Sequence, residues 1–262
     1  MASEISPKAE ISPKARIGNN CKIFPFVYIE DDVVIGDNCI IFPFVSILNG
    51  TRMGAHNKVH QGAVLAALPQ DFNFRGEKSE LIIGNNNIIR ENVVINRATH
   101  TGGQTVIGND NFLMEGSHVS HDTKIGNSCV LGYGTKIAGD CEVGDGVIFS
   151  TSVIANAKTR VGDGAMVQAG TTFSKDVPPY IVAGGTPVTY QGPNKTMMTS
   201  YGIDEKVQKH IANAYRLVFN GQNSVFDAVL QIKEQVPDSR EIQTIIRFVE
   251  ATKIGIIGKT AI

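Results

Sequence analysis

Residues 11–47, cut in sixes, read ISPKAR, IGNNCK, IFPFVY, IEDDVV, IGDNCI, IFPFVS and a final I. An isoleucine opens every block, at positions 11, 17, 23, 29, 35, 41 and 47. The phase extends in both directions, back to Ile5 and forward through Met53, Val59 and Leu65. It resumes at Ile83, Ile89 and Ile95, and again from Ile107 through Leu113, Val119, Ile125, Leu131 and Ile137 to Phe173. Two stretches, 66–82 and 96–106, break it, yet the phase modulo six survives both. They read as excursions from one unbroken coil. A six-residue period suits neither an amphipathic helix nor strand alternation. It marks a parallel β-helix, in which each short strand buries one aliphatic side chain before a turn. Three hexads close a triangular coil, so residues 18 apart are expected to stack at about 4.8 Å.

The remaining columns refine this. Gly follows the aliphatic residue at 18, 36, 84, 108, 126, 144 and 162, and Asn or Asp commonly comes next. That pair matches a tight turn with positive φ. The fourth residue is small, and Cys21, Cys39, Cys129 and Cys141 all fall in that slot. With no C-x-x-C spacing, they read as small buried hydrophobes carrying free thiols, not as a metal or disulfide framework.

After about residue 180 the Pro/Gly-rich DVPPY and AGGTP form a crossing, and the apolar spacing becomes helical. Asp204 can cap EKVQKHIANAYRLVFN with Gly221 stopping it, Ser224 can cap VFDAVLQIKEQV, and Asp238 with Glu241 forms a capping box for REIQTIIRFVEAT. The expected organisation is a β-helix over 1–187 and a helical domain over 188–262. Among 262 residues Trp is absent and Gly reaches 27, in keeping with a narrow core. A net charge of −1 without a Lys/Arg block argues against nucleic acid as a partner. The charged opening MASEISPKAEISPKARIG lacks the apolar stretch of a secretory signal, and no run approaches a membrane span. A soluble, cytoplasmic protein is expected.

Chemistry concentrates in GSHVSHDTKIGNSC, residues 116–129. Val119 points inward, so His118 and Ser120 should face outward and His121 should lie at a turn. Asp122 follows directly, and a carboxylate beside an imidazole fixes its tautomer and raises its basicity. A solvated surface pair is the alternative. Against it stands the long loop at 66–82, because such loops in tidy solenoids tend to carry function. A zinc site would need a third converging ligand; His100 lies in the second excursion, His56 and His60 lie far along the chain, and no metal is expected.

The segments IIRENVVINRATHTGG, TVIGNDNFLMEGSHVSHDTKIGN, DVPPY and IANAYRL, with PQDF opening the first excursion, together resemble the UDP-N-acetylglucosamine O-acyltransferases that begin lipid A synthesis. The resemblance runs over nearly the whole chain. It implies a homotrimer of left-handed parallel β-helices with a cleft between subunits, which moves a 3-hydroxyacyl group from acyl carrier protein to the sugar 3-hydroxyl. No cofactor beyond the donor's phosphopantetheine thioester is implied. For this chain it implies His121 as general base, Asp122 as its orienting partner and the Gly139 N–H as oxyanion donor. Gln70 and Asp71 would meet the sugar, His118 the substrate and Asn194 the nucleotide. Gln168 and Ala169 fall at the position that measures acyl length, and the small Ala169 favours a long chain. Six positions depart from the pattern: among the residues the resemblance places at the substrate, Asn73 replaces a lysine and Asp140, Asn156 and Asn96 replace histidines, and Ser200 and Tyr201 stand where relatives carry an arginine pair. These changes remove donors for a diphosphate, each worth about 1.5–3 kcal/mol. Arg75, ahead of Lys195 and Arg97, is the residue expected to compensate. Two alternatives follow: an acyltransferase of the same architecture acting on another sugar nucleotide or amino sugar, and a binding scaffold without turnover.

Overall fold

The computed structural model describes residues 2–220 and 224–259. From residue 4 to 184 the chain winds as a parallel β-helix of very short strands, most of two residues. Successive strands fall in turn on three sheets, termed here faces A, B and C. Face A holds Lys22–Ile23 and Val130–Leu131, face B holds Tyr28–Ile29 and His118–Val119, and face C holds Val34–Ile35 and Lys124–Ile125. Pairing follows the expected spacing of 18, as in Ile23 with Ile41 and Ile125 with Val143. Across the first excursion it becomes 30, Val59 with Ile89, and across the second 24, Ile95 with Val119. The two loops therefore add two hexads and one hexad, which is why the phase survives them.

The aliphatic column forms the core: Ile41, Ile47, Val59, Leu65, Ile95, Leu113, Val119, Leu131 and Ile137 are fully buried. All four cysteines are free and buried. Burial holds the Cys129 thiol up at about 12 and Cys39 at about 11, so both stay protonated. The column of Cys21, Cys39 and Cys129 is not uniformly small, for it also takes Asn57, Asn87 and Asn111. These form a buried ladder in which each Oδ1 accepts the next residue's N–H at 2.7–2.9 Å.

The glycines serve a different purpose from the one their sequence suggested. Positive φ falls on the third residue after the aliphatic one, at Asn20, Asn38, Asp110 and Asp122 among others, and not at the glycines next to it. Those glycines lie where coils touch: a Cβ on Gly36 would lie 2.6 Å from the Gly54 carbonyl carbon. The Asn or Asp beyond them forms a second ladder, as where Asn109 Oδ1 accepts the Asn85 N–H at 2.8 Å.

Sheet pairing on face A continues past residue 187 through Thr189–Pro193 and Gly258–Lys259. Among the described residues four helices follow: α1 (Lys195–Ser200), α2 (Glu205–Asn220), α3 (Val225–Gln235) and α4 (Arg240–Glu250). The sequence had not suggested α1. Asp204 accepts the Lys206 N–H at the start of α2, and Ser224 caps α3 in a reciprocal box with Asp227. At α4 the cap is Ser239, whose Oγ accepts the Ile242 N–H, and not Asp238. Asp238 lies one residue too early and takes the Gln243 side chain instead. Gly221, the expected stop of α2, lies outside the described residues. Arg160 docks the helices on face C, pairing with buried Asp176 at 2.9 Å and covering the Phe248 ring.

Candidate active site

Every passage from face B to face C turns at one corner, and both excursions leave the coil there, on adjacent coils. His121 and Asp122 form the same corner one coil later, and Gly139 and Asp140 the next. Asp122 is left-handed (φ 59), a conformation short polar side chains tolerate. Its N–H donates to Thr105 Oγ1 at 2.9 Å.

His121 Nδ1 lies 2.9 Å from Asp122 Oδ2, with the side chains only 13% and 9% exposed. Thr99 gives its hydroxyl and N–H to the same oxygen, at 2.7 and 3.1 Å. Burial pushes the Asp122 carboxyl up, but the hydrogen bonds from Thr99 and His121 together outweigh it and hold it below the usual range. An ionised Asp122 only accepts, so it places the hydrogen on His121 Nδ1 and leaves Nε2 as the basic atom. That Nε2 faces Asp71 Oδ2 at 4.0 Å. A single hydroxyl oxygen can sit at about 2.8 Å from both.

Gly139 lies under the ring: a Cβ there would come within 2.5 Å of His121 Cε1. Its N–H has no acceptor among the described residues. Beside the pair is a groove of 490 Å³ lined by His100, Gln104, Asp122, Lys124, Asp140 and Glu142. Among the described residues no group of three or more His, Cys, Asp or Glu side chains could hold a metal ion.

The short excursion clamps the long one over this corner. Asn96 is fully buried and donates Nδ2 to Leu68 O at 2.7 Å, and Ser79 donates its hydroxyl to Ala98 O. Arg97 donates to Asn49 O at 3.0 Å and covers the Phe74 ring. Asn96 and Arg97, read from the sequence as a substrate residue and a phosphate candidate, thus hold the loop in this chain. Gln70, Asn73 and Arg75 are exposed on the loop, and Arg75 Nη1 is engaged by Phe72 O at 2.7 Å. His118 sits half-buried on face B between Val94 and Lys136; burial first, then Lys136, lowers its pKa. Asp140 and Asn156 are exposed near the corner.

One chain brings together Asp71, His121, Asp122, Gly139 and Asp140. It does not bring Asn194, Gln168 or Ala169 to them. Asn194 caps α1 and donates Nδ2 to Gly164 O at 3.0 Å, at the corner between faces C and A. Gln168 and Ala169 are exposed at the corner between A and B. Thr99 and Thr105 were missed in the sequence. The signal was arithmetic: twelve residues separate Ile95 from Ile107, so the extra hexad must emerge above His121.

Comparison with known proteins decides the family. Residues 176–257 match the model for UDP-N-acetylglucosamine O-acyltransferase domain 2, and 14–41 and 104–139 match bacterial transferase hexapeptide repeats. An acyl-[acyl-carrier-protein]–UDP-N-acetylglucosamine O-acyltransferase of Chlorobaculum parvum is 47% identical over 244 residues, 92% of each chain. The chain belongs to this family. Among solved UDP-N-acetylglucosamine acyltransferases, that of Bacteroides fragilis superposes with a TM-score of 0.95 at 46% identity, covering 97% of this chain and 99% of that one. The Francisella novicida structure gives 0.94 at 29% identity, over 97% and 94%. Like these O-acyltransferases, the chain is a left-handed parallel β-helix with helices at its C-terminus.

Proposed function

We propose that this chain transfers a 3-hydroxyacyl group from acyl carrier protein to the 3-hydroxyl of UDP-N-acetylglucosamine, the first step of lipid A synthesis. The observation that carries the reading is the His121 Nε2 held bare by Asp122 and facing Asp71 across 4.0 Å. In this reading Asp71 and Nε2 share the sugar hydroxyl, and Nε2 takes its proton as the oxygen attacks the thioester carbon. The Gly139 N–H receives the developing oxyanion. The C–S bond then breaks, and His121 returns the proton to the departing thiolate of the phosphopantetheine arm. No cofactor enters, because the thioester is already activated.

Asn194, Gln168 and Ala169 lie at other corners of the same prism, so a second subunit would have to supply them. We therefore read the working enzyme as a homotrimer in the cytoplasm, with 1–187 as the catalytic unit and 188–262 as the helical unit. Among the described residues no helix is long and apolar enough to cross a membrane.

Replacing His121 with Ala tests the base. Transfer should fall by roughly 10²–10⁴, with the circular dichroism spectrum and thermal midpoint retained; turnover at the wild-type rate would reject the assignment. A matched panel of 3-hydroxyl and 3-amino sugar nucleotides then tests the acceptor, and preference for the amine would replace the ester-forming reading.

A further inference from the structure

Asp122 carries more than one imidazole. On its other oxygen, Oδ1, stands His100 Nδ1 at 3.1 Å, delivered by the same excursion that brings Thr99 to Oδ2. We propose that His100 is a positioning residue for the acyl-transfer reaction, acting on His121 through Asp122; the proposal rests on the assignment of His121 as base.

Three features separate His100 from a histidine that merely lies on the surface. First, its ring lies close over Gly103, where a Cβ would come within 2.6 Å of His100 Cε1. The turn beneath closes through the Gly103 N–H to His100 O at 2.8 Å. Second, the two carboxylate oxygens are unequally served. Oδ2 takes Thr99 Oγ1, Thr99 N and His121 Nδ1, at 2.7, 3.1 and 2.9 Å. Among the described residues Oδ1 has only the long 3.4 Å approach of Thr99 N and the His100 nitrogen. The terminal torsion of an aspartate is soft and roughly two-fold, so a group on Oδ1 fixes the plane in which Oδ2 meets His121. Third, His100 sits on the solvent side, 71% exposed against 13% for His121. It can steady the carboxylate without occupying the place of the reacting hydroxyl. The charged groups lining its groove are Asp122, Lys124, Asp140 and Glu142.

The test is a cycle of variants on the full-length enzyme: His100→Ala, His100→Gln, Asp122→Asn and the double variant His100→Ala/Asp122→Asn. With acyl carrier protein thioester and UDP-N-acetylglucosamine as substrates, His100→Ala should lower kcat about three- to tenfold and leave the KM for the nucleotide within about twofold, as expected of a lost transition-state interaction. His100→Gln, which restores an N–H donor, should recover most of kcat. In the Asp122→Asn background, removing His100 should change nothing further, because coupled residues are not additive. An unchanged kcat in His100→Ala, a loss confined to KM, an equal loss in Gln and Ala, or full additivity with Asp122→Asn would each overturn the proposal. Proton NMR of the unliganded protein provides a readout independent of turnover. The low-field His121 Nδ1 proton should move or broaden in His100→Ala and return in His100→Gln, whereas an unmoved signal counts against the role. An inactive wild type would instead sink the functional reading, with the NMR result still deciding on His100.

Discussion

The corner between faces B and C recurs along the prism, and two of its occurrences differ in kind. In the second coil Asp31 and Asp32 stand where His121 and Asp122 stand four coils later. There Asp31 accepts from Ser12 and Lys14, both at 2.6 Å, with the Lys14 and Asp31 side chains 74% and 54% exposed. At the later corner the corresponding pair is almost covered. The backbones differ locally, since Asp122 is left-handed (φ 59) and Asp32 is not. The larger difference is the roof. Residues 68–79 and 97–103 arch over the later corner and remove water from it, and removal of water is what makes an imidazole–carboxylate pair directional. A regular solenoid becomes a site where its regularity is interrupted in whole hexads.

The strongest way to break this comparison is to remove the roof. Residues 68–79 can be deleted so that Ala67 joins Glu80, which puts Ile83 six residues after Leu65 and keeps the phase. The protein should remain folded by circular dichroism while transfer falls by more than about 10³, because Asp71 and the cover are lost together. Deleting one residue fewer breaks the phase, turns the following strands out of register and should leave little folded protein. Folding in both cases would refute whole-hexad insertion as the rule.

Next in size come the buried columns that run along the prism. Leu113→Ala, in the aliphatic column, should cost about 2–5 kcal/mol by denaturant titration. Asn87→Ala, which leaves the Asn111 N–H unpaired inside the prism, should cost about 1–3 kcal/mol. Because coils contact only their neighbours, either loss should spread and broaden the transition. A cost below 0.5 kcal/mol, on the order of a surface change, would mean that the ladder contributes nothing.

The prism was legible in the sequence because one aliphatic side chain per six residues admits a single packing solution. Even the excursions kept count. The glycines were misread, since a local turn preference and a close approach between coils favour the same residue; only neighbouring coils in space distinguish them. Asn96 shows a related limit. Its donor goes to Leu68 O, a partner 28 residues away, which no local reading of the sequence reveals. The His121–Asp122 contact was legible because the two residues are contiguous. Thr99 was not, because a hydroxyl becomes informative only once the loop that carries it is placed.

Thr99→Val sharpens the comparison at the later corner alone. It removes a hydroxyl that helps hold Asp122 below the usual carboxylate range. A depressed carboxyl contributes fully above its unfolded value of about 3.8 and loses that contribution as pH falls through its lower folded value. The wild type should therefore show no loss from this group between pH 7 and about pH 4. In Thr99→Val the acid limb should move toward neutral pH, with roughly 1 kcal/mol less stability at pH 7. An acid limb that stays in place would show that Thr99 does not tune Asp122.

The smallest effect is expected at the earlier corner, and its smallness is informative. Lys14 draws the Asp31 carboxyl down chiefly through their hydrogen bond, with Ser12 adding to it. This resembles what Thr99 and His121 do to Asp122, but here it occurs in open water. Solvent screens such a pair, and the entropy of fixing a lysine opposes it. Asp31→Ala should leave thermal midpoint and turnover unchanged within error, at low and high salt alike. A clear loss in either would mean that the uncovered corner is also covered in the working protein, by another copy of the chain, and the roof would no longer be what distinguishes the two.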